Sequence, residues 1–96
     1  MPQITIAGKA YTLGDVPFTD ENLDTFDAML NMEADEGKIP AGLLKGLRRV
    51  LYESLVSGSG EEAANEAMAG LRLNFGKNSG LFTAINALGE TLKGNE

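Results

Sequence analysis

Four short stretches hold residues whose types and spacing could do chemistry. NMEADEGKI, residues 31–39, gathers carboxylates around a glycine, as a calcium loop does. SGSGEE at 57–62 and FGKNSG at 75–80 have the glycines of a phosphate cradle. Lys45, Arg48 and Arg49, with Tyr52 beside them, share one side of a helical stretch and could meet nucleic acid or an acidic protein. The first three fail on detail. A twelve-residue calcium loop needs glycine at its sixth position and a bidentate carboxylate at its twelfth. Setting Gly37 sixth puts Met32 first, Ala34 third and Leu43 last, so three ligand positions are lost. Glu61 and Glu62 would repel a phosphate at the start of a helix. In the other stretch Asn78 stands where Ser or Thr should follow Gly-Lys, and Gly70 lies one residue too far upstream. All three read as turns between helices.

The chain has no His and no Cys. Imidazole bases, thiolate nucleophiles, disulfides and the usual zinc ligands go with them. A net charge of −6 speaks against nucleic acid, whose phosphates draw on a positive surface. No metal, cofactor or catalytic residue is expected, and the chain reads as non-enzymatic. The opening MPQITIAG has neither the basic start nor the apolar run of a signal peptide. The expectation is a mature, soluble, intracellular protein. Its 96 residues suit one domain, 1–96.

The elements follow from periodicity. ITIAGKAYTL, residues 4–13, alternates as a strand, a turn and a strand. A two-residue Gly8-Lys9 loop would pair Ile6 with Tyr11, Thr5 with Thr12 and Ile4 with Leu13. Ile4, Ile6, Tyr11 and Leu13 would then share one side, away from the Ala and Thr pairs. The rest is helical, over about 20–34, 41–57, 60–75 and 80–93. Thr19 suits an N-cap, with Asp20 and Glu21 in the first turn and Phe18 and Leu23 as a hydrophobic staple. Leu23, Phe26 and Leu30 predict the buried face of the first helix. Leu43, Leu44, Leu47, Val50, Leu51 and Leu55 predict that of the second. Ser59 with Glu62 has capping-box spacing for the third, whose stripe runs through Ala64, Ala67, Met68, Leu71 and Phe75. Asn78 or Ser79 caps the fourth, with Leu81, Ile85, Leu88 and Leu92 inward and Phe82 widening the face. The predicted fold class is mainly α (α+β): a two-stranded hairpin, residues 3–13, packed on about four helices.

Such a chain has surfaces for holding another polypeptide. Met29 and Met32 lie at the edge of the first helix's apolar face. Flexible methionines suit grooves that accept varied apolar peptides, and Met29, Met32, Phe75 and Phe82 are the candidate partner-binding residues. Met68 reads as core filling. The strand edges at Thr5 and Thr12 are open in a two-stranded ribbon and predict self-association into a homo-oligomer. Lys45, Arg48, Arg49 and Tyr52 form a possible docking patch for an acidic protein, or answer the acidic face of the first helix.

ITIAGKAYTLGDVPFTDENLDTF, residues 4–26, resembles the start of the small tail assembly chaperones of tailed bacteriophages and prophages. The matching residues are Ile4, Ile6, Gly8, Lys9, Tyr11, Leu13, Pro17 and Leu23. SGLFTAINALGETL, residues 79–92, is similar to their closing helix. The linker GDVPF has one proline where the family's is richer. The resemblance implies a protein of the bacterial host cytoplasm that coats the apolar, helical tape measure protein until tube subunits replace it. It brings no catalytic, metal or cofactor residues. Two alternatives stand beside it: a structural phage subunit such as a head–tail connector or minor tail protein, and a small regulatory protein docking an acidic partner through the Lys45/Arg48/Arg49 stripe.

Overall fold

The computed structural model describes residues 3–34, 41–73 and 79–93, with the side chains of 30–34 and 41 left out of the description. Strands β1 (Gln3–Ile6) and β2 (Lys9–Thr12) form an antiparallel hairpin. Helices α1 (Asp20–Ala34), α2 (Ala41–Ser59), α3 (Glu61–Gly70) and α4 (Gly80–Lys93) follow. The mainly helical α+β class is as expected.

The hairpin register is not. Ile4 faces Tyr11, Thr5 faces Ala10 and Ile6 faces Lys9, so the loop is Ala7-Gly8. Both loop residues have positive φ, 52° and 82°. That is the type I′ conformation, whose twist matches that of the strands. The difference from the expected pairing is two residues, and side chains alternate with period two, so the faces are unchanged. Ile4, Ile6, Tyr11 and Leu13 are all buried. They join one core with Leu47, Val50, Leu51 and Leu55 of α2, Ala64 and Ala67 of α3, and Ala84, Ile85 and Leu88 of α4. Burying a large apolar side chain stabilises by about 1.5–3 kcal/mol.

β2 lies along the end of α2, where hydroxyls replace a third strand. The Ser59 Oγ accepts from the Thr12 N–H at 2.7 Å and donates to the Thr12 carbonyl at 2.8 Å. Ser54, fully buried, donates to the Gly14 carbonyl at 2.7 Å, and the Gly14 N–H returns to the Ser54 carbonyl at 2.8 Å. The approach requires glycine. A Cβ on Gly58 would collide with the Thr12 carbonyl, and one on Gly14 would stand 2.6 Å from the Ser57 Oγ. Ser59 is thereby taken from its expected role as the cap of α3. Gly60 begins that helix with φ 95° and no side-chain cap, and α2 runs on to Ser59.

α1 is turned relative to expectation. Thr19 caps it as predicted, its Oγ accepting from the Asn22 N–H at 3.2 Å. Among its described side chains the buried ones are Asn22, Thr25 and Met29, while Leu23 is exposed, Phe26 is half-buried and the Leu30 side chain lies outside the description. One residue of offset is a rotation of about 100°. The cause is Gly46 on α2, where a Cβ would sit 2.5 Å from the Thr25 Oγ. Thr25 fits where only a glycine could stand opposite it. Phe18 is 88% exposed, so it staples nothing.

α3 stops at Gly70, and Leu71 is already extended. Arg72 donates to the Ala69 and Leu71 carbonyls at 3.0 and 3.2 Å, satisfying acceptors that a longer helix would have used. Ser79 caps α4 through the Phe82 N–H at 3.1 Å. Among the described residues no helix is long and apolar enough to cross a membrane.

Candidate functional site: an apolar groove with a cationic rim

α2, the end of α3 and α4 leave a groove of about 290 Å³ between them. Leu47, Leu51 and Ile85, which belong to the core, form its floor. Leu44, Met68, Leu71 and Leu81 are half-buried along its walls, and Leu73 stands beside them 83% exposed. Among the described residues Lys45, Arg48 and Arg72 complete the lining, and no carboxylate is among them. The space holds side chains rather than a helix about 10–12 Å across, so a partner helix would lie on the groove and insert its apolar anchors.

A second, smaller apolar hollow of about 230 Å³ lies at the start of α1, lined by Phe18, Leu23, Phe26 and Leu92 among others. Its surroundings are acidic, with Asp20, Glu21 and Asp24 exposed.

The partner-binding residues expected from sequence are not brought together. Met29 is 3% exposed and packed in the core, because the rotation of α1 turns it inward. It cannot line a binding surface. Met32 has its side chain outside the described residues, and Phe75 lies outside them altogether. Phe82 is 37% exposed on the first turn of α4 and does not line the groove. Met68, read as filler, stands in the groove wall.

The basic patch divides. Arg49 turns to α1: its Nε and Nη2 donate to the Asn22 Oδ1 at 3.3 and 3.1 Å, and Nη2 donates to the Thr25 Oγ at 3.2 Å. Glu21 lies 3.6 Å and Glu53 3.9 Å from the same guanidinium. Tyr52 is carried with Glu53 toward Asp15 and Pro17, away from the groove. Only Lys45 and Arg48 remain at the groove, and neither makes an ion pair with a described residue. Replacing Arg49 with Met should therefore lower stability by about 1–2 kcal/mol, leaving Asn22 and Thr25 without their donor. Replacing Lys45 and Arg48 with Gln should leave it within about 0.5 kcal/mol. Denaturant titrations of the variants read the contrast.

The strand edges also differ from each other. Thr12 is occupied by Ser59, so its edge is closed at that residue. Thr5 is exposed and makes no hydrogen bond outside the hairpin ladder among the described residues.

One ionic cluster ties the hairpin to α3. Lys9 Nζ and the Tyr11 hydroxyl donate to the same Glu66 carboxylate oxygen, at 2.8 and 2.9 Å. The Lys9 bond, then the Tyr11 bond, hold the Glu66 carboxyl below its ordinary range. The same contact with Glu66 raises the Lys9 ammonium, and burial followed by the Glu66 bond raises the Tyr11 hydroxyl. A depressed carboxyl contributes stability above its unfolded pKa and loses it as pH falls through the folded value. A raised ammonium contributes below its unfolded pKa and loses it as pH rises through the folded one. The stability gap between the native chain and Glu66→Gln should be widest from about pH 5 to pH 10 and narrow on both sides. Thermal unfolding across that range measures it.

Groove residues Leu44, Leu71, Arg72, Leu73 and Leu81 were not singled out by sequence reasoning as binding residues. The available signal was LRL at 71–73, directly after Gly70. Continuing the helical stripe to Phe75 hid it. Among the described residues no three or more His, Cys, Asp or Glu side chains are grouped so as to hold a metal ion. Neither family models nor curated proteins nor solved structures contain a match to this chain.

Proposed function

We propose that this protein is a non-enzymatic assembly chaperone that grips an apolar helical segment of another polypeptide. The observation that carries the reading is the leucine-walled groove of α2, α3 and α4, with Leu44, Leu71, Leu73 and Leu81 left partly or fully exposed around a buried floor. A helix placing apolar side chains at i, i+3, i+4 and i+7 supplies what such a groove lacks. Together with the resemblance of residues 4–26, this supports a tail assembly chaperone acting on the tape measure protein in the bacterial cytoplasm. Self-association belongs to the same reading and rests on the Thr5 edge, since Thr12 is taken by Ser59. The test is co-expression with segments of a tape measure protein. The reading expects one or more segments to stay in solution only when this protein is present and to co-purify with it. Segments that precipitate equally with and without it would contradict the reading.

A further inference from the structure

We propose that the groove selects helices whose apolar stripe is flanked by carboxylates, with Lys45 and Arg48 engaging one flank and Arg72 the other. The proposal rests on the helix-gripping reading and adds the chemical class of the partner. Three observations carry it. The chain has a net charge of −6 and only eight Lys and Arg residues, yet among the described residues three of those cations line this one groove and no acid does. Elsewhere among the described residues the cations are engaged: Lys9 pairs with Glu66 at 2.8 Å, Arg49 lies between Glu21 and Glu53, and Lys93 also has a partner. Lys45 and Arg48 pair with no described residue.

The geometry suits a helical partner. Lys45 and Arg48 are three residues apart on α2, one above the other at about 4.5 Å of helical rise. Carboxylates spaced three or four residues apart on a partner helix repeat at the same interval. Arg72 follows α3 in the opposite wall and is held near the Ala69 and Leu71 carbonyls by hydrogen bonds. Cations at the rim of an apolar contact act on encounter rate and on partner choice more than on total affinity. An apolar groove alone would take any amphipathic helix. The rim gives it a preference against basic ones, and charged flanks would repel from the acidic hollow at Phe18.

The test uses two labelled peptides of about 20 residues that share one leucine stripe. One carries Glu on both flanks and the other carries Gln at the same places. Fluorescence anisotropy against the full chain should show the Glu peptide binding about tenfold more tightly at about 0.05 M salt. The difference should shrink toward nothing at about 1 M salt, and Lys45→Gln with Arg48→Gln should remove most of it. Because the peptides differ and the protein does not, the first comparison stands even if a variant folds poorly. Equal affinities for the two peptides would overturn the proposal while leaving the helix-gripping reading intact. Failure of both to bind would overturn that reading as well. If light scattering shows a dimer that the Lys45 and Arg48 changes dissociate, the rim's occupant is the acidic α1 of a second copy, and the proposal is overturned in that way too.

Discussion

Gly58→Val should destabilise the fold by about 3 kcal/mol, seen as a fall in Tm of roughly 12–24 °C. A Cβ at this position runs into the Thr12 carbonyl oxygen, and the Gly14 N–H lies 2.8 Å away on the same side. Neither neighbour is a flexible side chain that can swing clear. Relief would require β2 to leave α2, breaking the bonds of Ser59 with Thr12 and of Ser54 with Gly14. Each buried polar group left without a partner adds about 1–3 kcal/mol to the loss. Gly42→Ala is the control, because a Cβ there meets nothing within 4 Å and the position is exposed in the first turn of α2. Its Tm should not fall. A Gly58→Val protein that melts with the native chain would mean that β2 is not seated on α2 in solution.

The second large effect is on binding. Leu44→Asp combined with Leu81→Asp should weaken capture of an apolar helix by about 100-fold or more. Truncating a central apolar contact costs about 2 kcal/mol or more, and a carboxylate at such a contact must also lose water without gaining a partner. Both positions are half-buried at the groove wall rather than in the floor, so the fold should survive. The matched change in the other hollow, Phe18→Asp with Leu23→Asp, should leave capture unchanged, since both side chains are already exposed. Isothermal titration of the two double variants with one helical peptide separates the surfaces. Loss of binding in the Phe18/Leu23 variant alone would move the site to the start of α1.

Much of the fold is legible in the sequence because it depends on period. The alternation of Ile4, Ile6, Tyr11 and Leu13 gives the hairpin its inner face whichever two-residue register is chosen. The register itself depends on which pair takes positive φ, and Ala7 gives no sign that it will. Thr19 and Ser79 cap their helices as their types suggest. Contacts between elements are another matter. The rotation of α1 follows from one glycine facing one threonine, and Met29 enters the core by consequence. Ser59 has capping spacing in sequence but finds a strand edge in space, a contact 47 residues away in the chain. The groove was the least legible feature. It is made where three elements fail to meet, and the leucines around it look from sequence like any others of the core. Lys45 and Arg48 were visible as a patch. Their separation from Arg49 and Tyr52 was not, because it depends on where α1 lies.

The most direct test is a methyl NMR titration of the full chain with an apolar helical peptide. If the groove grips a helix, the methyl signals of Leu44, Met68, Leu71, Leu81 and Ile85 shift or broaden together and saturate at one peptide per chain. Val16 and Leu23, which line the hollow at the start of α1, then stay in place. Movement confined to Val16 and Leu23, or a spectrum that the peptide leaves untouched, would contradict the account.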